Sequence, residues 1–235
     1  MERMDLHVVF SPFKRFTPRW LWEPMRRVGI AILGPALFSI REGHFYSSLR
    51  GMPIARDGSA LPWYSYPAID FLAARDFRSK RVLEFGAGQS SVWWGKRARS
   101  VLSLEETEEW AQHVRAIAPP NVSLAVMPMD SPRSCVTAVE KRLASEDLFD
   151  VVVIDGLFRM ELIPVALQHV SADGIIVCDN ADGYYFYEGL KDAGLMRVDF
   201  FGMAPGGLDY DCTSVFFPAN SFVVDPQIPI RRSQN

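Results

Sequence analysis

From Arg81 onward, short apolar runs alternate with stretches of helical period. Val82–Phe85, Ser100–Glu105, Val122–Met127, Phe149–Asp155 and Gly174–Asp179 read as strands. Between and after them, Val92–Arg97, Glu108–Ala118, Pro132–Leu143, Met160–His169 and Tyr184–Ala193 read as helices. The fourth run, FDVVVID, is apolar toward both faces, as expected of a central strand in a parallel sheet. Strict alternation of this kind predicts an α/β fold with parallel strands. Arg197–Gly202 and Thr213–Phe217 predict two closing strands around a Gly/Pro loop. Upstream, WYSYPAIDFLAAR predicts a helix beginning near Pro67, with Ile69, Leu72 and Ala73 on one face.

Residues 1–50 are rich in Arg, Pro and aromatics and show no clear period, which predicts a cap or lid of short helices. The pattern divides the chain into an N-terminal extension (1–62), an α/β domain (63–218) and a loose C-terminal tail (219–235). One uncharged stretch, Val28–Ile40, follows Arg26 and Arg27. It is too short to cross a bilayer, Gly34-Pro35 is expected to interrupt it, and no leader-type cleavage site follows it. It reads as a packed or interfacial helix. Arg15, Arg19, Arg26 and Arg27 with Trp20 and Trp22 would suit peripheral membrane contact.

Composition narrows this picture only modestly. At 235 residues with 49% hydrophobic and 23% charged residues, the chain can bury a sizeable core and is not of disordered type. A net charge of −3 gives no support to a nucleic-acid partner. Cys135, Cys178 and Cys212 are odd in number and lack metal-ligand spacing, so they read as reduced, buried thiols of a cytoplasmic protein. The pattern leaves the oligomeric state open.

The chemistry is concentrated in RVLEFGAGQSS, residues 81–91: a strand, an acid, two glycines and two hydroxyl residues. Gly86 and Gly88 allow a tight turn without a Cβ, and Ser90 and Ser91 suit the start of a helix. Acids recur where the strands end: Glu84, Glu105, Asp130 and Asp155. Open α/β sheets bind ligands at that edge. An acid at the end of the second strand can accept both hydroxyls of a ribose, each such bond being worth about 1.5–3 kcal/mol. A pyrophosphate would be poorly served by so many carboxylates.

The whole run from Arg81 to Phe217 resembles the class I S-adenosylmethionine (SAM)-dependent methyltransferases. VLEFGAGQSS is similar to that family's first motif, VLSLEET to its ribose-binding block, MPMDS to its adenine block and FDVVVIDG to its fourth strand. The resemblance implies a doubly wound, Rossmann-like seven-stranded sheet of order 3-2-1-4-5-7-6, with the seventh strand antiparallel. It implies SAM as cofactor, held by Glu84, Gly86, Ala87, Gly88, Ser90, Ser91, Glu105, Glu106, Asp130, Ser131, Asp155 and Gly156. Glu84 would face the ammonium, Glu105 the ribose and Asp130 the adenine. Asp155 would be the catalytic base.

A finer resemblance is to the metal-dependent O-methyltransferases. It implies Mg²⁺ held by Asp155, Asp179 and Asn180, although the lysine typical of the strand-four loop is replaced by Gly156-Leu157-Phe158-Arg159. Without a metal, Asp179-Asn180 would cap a helix or line the pocket. Arg159 would bind an acidic substrate group or form a salt bridge. His44, Tyr46, Trp63, Tyr64 and Tyr66 would form a lid or pack as ordinary aromatics, while Trp93 and Trp94 read as core. The implied activity is methyl transfer to a small-molecule oxygen. N-methylation and aminopropyl transfer remain on the same scaffold, and an NAD-dependent dehydrogenase or a binding protein without chemistry stand further off.

Overall fold

The computed structural model describes residues 17–127 and 130–224. Seven strands form one sheet: β1 (Arg81–Phe85), β2 (Ser100–Glu105), β3 (Val122–Val126), β4 (Phe149–Ile154), β5 (Val170–Cys178), β6 (Met196–Met203) and β7 (Tyr210–Phe217). Their order is β3-β2-β1-β4-β5-β7-β6. The first five run parallel, while β7 is antiparallel to both β5 and β6. The expected order is therefore the observed one. Winding reverses between β1 and β4, and that reversal opens a crevice at their carboxyl ends.

Side chains alternate to opposite faces of each strand, so the sheet carries two apolar layers. On one face Val82, Val151, Val153 and Val177 pack against Ile69 and Leu72 of α3 (Tyr66–Ala73) and Trp93 and Trp94 of α4 (Gln89–Gly95). On the other, Leu83, Phe85, Val152 and Ile154 meet α6 (Pro132–Leu143), α7 (Ile163–His169) and α8 (Phe186–Leu190). Helix α5 (Glu108–Ile117) is capped by Thr107, whose hydroxyl accepts from the N–H of Trp110.

Three expectations need correction. The N-terminal segment contains one long helix, α1 (Arg19–Arg41), followed by α2 (His44–Arg50). Gly34-Pro35 does not break α1: Pro24 and Pro35 both lie inside it. Ala31, whose carbonyl loses its donor at Pro35, is exposed, so that group keeps access to water. Second, residues 219–224 are not loose. Ser221 and Val223 are buried, Phe222 packs edge-on against Phe77 at 5.7 Å, and Arg75 Nε donates to the carbonyl of Val223. Third, β5 begins at Val170 rather than Gly174, because Phe149 pairs with Val170 before a register shift near Val151. Arg15 lies outside the described residues, as does most of the tail.

Candidate functional site

The loop after β1 is fixed from three sides. Gly86 has φ +99°, and a Cβ there would lie 2.5 Å from the carbonyl oxygen of Asp155. Only glycine lets the ends of β1 and β4 approach so closely. Glu105 is buried, and its carboxylate accepts from the N–H of Ala87 at 3.0 Å and of Thr107 at 3.2 Å. Trp110 Nε1 donates to the carbonyl of Ala87 at 2.7 Å, with its ring stacked on His113. The N–H of Gly88 donates to Ser91 Oγ at 3.1 Å. Gly88 is extended, and a Cβ there would meet nothing within 4 Å, so the loop has open room on that side.

Glu84 lies beneath this loop. It is fully buried, and Ser103 Oγ donates to its Oε2 at 2.7 Å. Ser103 Oγ is 3.0 Å from Ser91 Oγ, so a chain of hydroxyls connects Glu84 to the turn at Gly88. Its Oε1 has no hydrogen-bond partner among the described residues. Burial pushes the carboxyl up to about 7, against the pull of the neighbouring serine hydroxyls.

At the ends of β4, β5 and β7 a second cluster gathers around one cation. Arg159, 12% exposed at its side chain, donates from Nη2 to Asp155 Oδ1 at 2.8 Å. Its Nη1 donates to the Asp179 carbonyl at 2.6 Å and to Asn180 Oδ1 at 2.9 Å, and its Nε to the Gly156 carbonyl at 3.0 Å. The guanidinium also lies 4.8 Å from the Tyr184 ring centre. Asn180 Nδ2 donates to Asp211 Oδ2 at 2.8 Å. The carboxylate of Asp179 accepts from Thr213 Oγ1 at 2.8 Å. Burial raises Asp155 to about 6, with Arg159 opposing, and holds Asp179 well above the usual carboxylate range, with Asp155 and Asp211 adding to the rise.

These donors do not fit the expected Mg²⁺. Asp155 Oδ1 and Asn180 Oδ1, two of the oxygens such an ion would need, already accept from the Arg159 cation, and Asp179 Oδ1 accepts from Thr213. A dication about 4 Å from a guanidinium would meet a repulsion of about 8 kcal/mol at an effective dielectric constant of 20. Among the described residues, no three His, Cys, Asp or Glu side chains are grouped to hold a metal ion.

The remaining expected site residues fall in several places. Asp130, Ser131 and Glu106 are exposed, and Ser131 caps α6 by accepting from the N–H of Ser134. Residues 128–129 of the adenine block lie outside the description. Ser90 is half-buried at the start of α4. Tyr64 and Tyr66 are core residues and present no lid surface: Tyr64 is fully buried and accepts from Trp94 Nε1 at 3.2 Å, while Tyr66 meets Phe38 edge-on at 5.4 Å. His44 Nδ1 accepts from the N–H of Gly206 at 3.2 Å, Tyr46 packs on Phe45, and Trp63 Nε1 donates to the Pro205 carbonyl at 3.1 Å. Asp211, Thr213, Tyr184 and Trp110 were not singled out from the sequence. Only the last lies close in sequence to a predicted site residue, five positions after Glu105.

No family model and no curated protein matches this chain. Solved structures do. Cofactor-bound Rv0187 from MTB shares 20% identity, covering 80% of this chain and 96% of its own, with a TM-score of 0.52. The precorrin-6y C5,15-methyltransferase of Geobacter metallireducens GS-15 shares 16% identity, covering 65% and 87%, with a TM-score of 0.51. The chain has the class I methyltransferase fold. The Gly86–Gly88 loop, Glu105 and the Arg159 cluster lie at the carboxyl ends of β1, β2, β4 and β5, on the side where the winding reverses.

Proposed function

We propose that this chain is a SAM-dependent methyltransferase acting on an oxygen of a small-molecule acceptor. One observation carries the reading: Glu105, at the end of β2, clamps the glycine loop through Ala87 while retaining acceptor capacity. A carboxylate has about four lone-pair sites. Two are used, and two remain for a vicinal ribose diol. The orphaned Glu84 Oε1 and the open flank of Gly88 fit the same ligand. Asp130 and Ser131, at the end of β3, would face the adenine.

SAM, when bound, supplies an electrophilic methyl group on a sulfonium. The protein's own part is alignment and proton removal. Asp155 is the base: its Oδ1 is fixed by Arg159, leaving Oδ2 to accept the acceptor's hydroxyl proton as the oxygen attacks in line. Raised to about 6, this carboxyl is a better proton acceptor than an ordinary one and is still ionised at neutral pH. After transfer, Asp155 would return its proton to solvent.

Calorimetry tests the reading. S-adenosylhomocysteine should bind the full chain, and Glu105→Ala should weaken it at least tenfold, whereas NADH should not bind. Absence of binding by both SAM and S-adenosylhomocysteine would sink it; NADH binding would favour the dehydrogenase.

A separate observation favours a membrane partner. Leu21, Met25, Val28 and Ile32 form an exposed stripe along α1, the last 66% exposed, and Trp20 is 76% exposed near its start. Four arginines and one glutamate are the only charged residues of this helix. Arg26, Arg27 and Arg41 fall outside the stripe. An anionic lipid surface would attract these cations while the stripe enters its apolar layer. Sedimentation with phosphatidylglycerol vesicles should retain the protein, and Ile32→Glu should release it. A dimer in solution that Ile32→Glu dissociates, with no vesicle binding, would overturn the assignment. No helix among the described residues is long and apolar enough to cross a membrane.

A further inference from the structure

We propose that Arg159 is a built-in cation standing where a divalent metal would otherwise sit, and that the acceptor site works without a metal on an uncharged acceptor. The chemistry attached to this inference rests on the methyl-transfer reading; the geometry does not.

The oxygens that bond Arg159 come from two separate segments, and a third supports them. Gly156 and Asp155 belong to the β4 loop, and Asp179 and Asn180 to the β5 end. Asp211 of β7 holds Asn180 from behind while itself accepting from the N–H of Cys212 at 2.7 Å. Carboxylate, amide and main-chain oxygens gathered around one cationic group form a hard-oxygen donor set of the kind that binds a cation. Here the cation is covalently part of the chain.

The backbone is arranged for this contact. Phe158 and Asn180, at φ 53° and 51°, are the two non-glycine residues with positive φ among those described. One immediately precedes Arg159 and the other bonds its guanidinium. Such conformations persist where surrounding contacts over-determine them, and the Arg159 network supplies those contacts.

Arg159 is thereby a positioning residue that acts through Asp155. A guanidinium has five N–H donors. Four are committed to the chain, so little remains to receive an anionic group of a substrate. Asp155, Asp179 and Asp211 also surround the single positive charge. An acceptor bearing a carboxylate or phosphate would enter a site already rich in acids, whereas a neutral hydroxyl would not be repelled.

The test uses Mn²⁺ and the full chain, with no SAM present, so its outcome is independent of the methyl-transfer reading. Electron paramagnetic resonance titration should find no stoichiometric Mn²⁺ site in the wild type at millimolar metal. Arg159→Met, which keeps the length and removes the charge, should expose the donor set and take up one Mn²⁺ per chain. Adding Asp155→Asn should abolish that uptake. Carbon-13 NMR of the Asp155 carboxyl should show its titration moving to higher pH in Arg159→Met and restored toward wild type in Arg159→Lys. One Mn²⁺ per wild-type chain, lost in Asp155→Asn, would overturn the inference, as would Arg159→Met that folds and binds no Mn²⁺. Should Arg159→Met not fold, the wild-type titration and the Lys variant decide it: Mn²⁺ uptake by either refutes the built-in cation.

Discussion

Replacing Glu84 by Gln tests whether a carboxyl buried under the glycine loop carries the electrostatic cost its position implies. Burial raises this group from the ordinary 4.5 to about 7. In the unfolded chain it ionises near 4.5, so between 4.5 and 7 the folded state holds more protons than the unfolded one. Stability therefore falls as pH rises through that window, and the cost is complete above about pH 7. At about 1.4 kcal/mol per tenfold change in proton affinity, the full effect is about 3 kcal/mol. Glu84→Gln removes the titration. It can keep the bond from Ser103 through its amide oxygen, while its amide nitrogen takes the place of an oxygen with no partner. Leaving that donor unsatisfied costs about 1–3 kcal/mol, but equally at every pH. The informative quantity is thus the difference between variant and wild type as a function of pH. Urea unfolding at pH 4.5 and pH 8 should show the variant gaining about 3 kcal/mol relative to wild type over that interval. A difference that stays flat with pH would refute the assignment of a buried, proton-holding Glu84.

Four further outcomes follow from the site. Gly86→Ala places a methyl against the Asp155 carbonyl in a left-handed conformation and should lower stability by about 1–3 kcal/mol or more, read by thermal unfolding. Gly88→Ala meets no neighbour, so melting should stay unchanged while S-adenosylhomocysteine binding weakens roughly tenfold, or about 1.4 kcal/mol. If Asp155 is the base, the methyl-transfer rate should climb from acid pH through about pH 6 and level above it, because only the ionised form accepts a proton. Asp155→Asn should remove that limb and cost roughly 10²–10⁴-fold in rate. Trp110→Phe deletes the bond to the Ala87 carbonyl and should weaken S-adenosylhomocysteine binding by about 1 kcal/mol, measured by calorimetry.

What could be read from the chain, and what could not, divides along sequence distance. The parallel strands were legible because a strand covered on both faces must be a continuous apolar run, and the glycine loop because positive φ at Gly86 requires that residue. Glu105 was legible as a strand-end acid, but its hold on the Ala87 N–H depends on the adjacency of β1 and β2. The cation at the centre of the β4–β5–β7 cluster was harder. Asp155 and Arg159 are four positions apart, but the partners that saturate the guanidinium sit twenty positions on, at Asp179 and Asn180, and Asp211 enters from a strand that folds back antiparallel. Only the reversal at β7 makes Asn180 a rigid acceptor instead of a helix cap. Tyr64 misled for the same reason: its aromatic neighbourhood suggests a lid, yet its partner Trp94 lies thirty residues away and draws it inward. Residues whose role is set by a neighbouring strand can be named from sequence, whereas those set by the final hairpin become visible only once the sheet has closed. Arg159 stands between the two kinds: its bonds go to the β4 and β5 loops, and only the Asn180 that receives one of them is held by the hairpin, through Asp211.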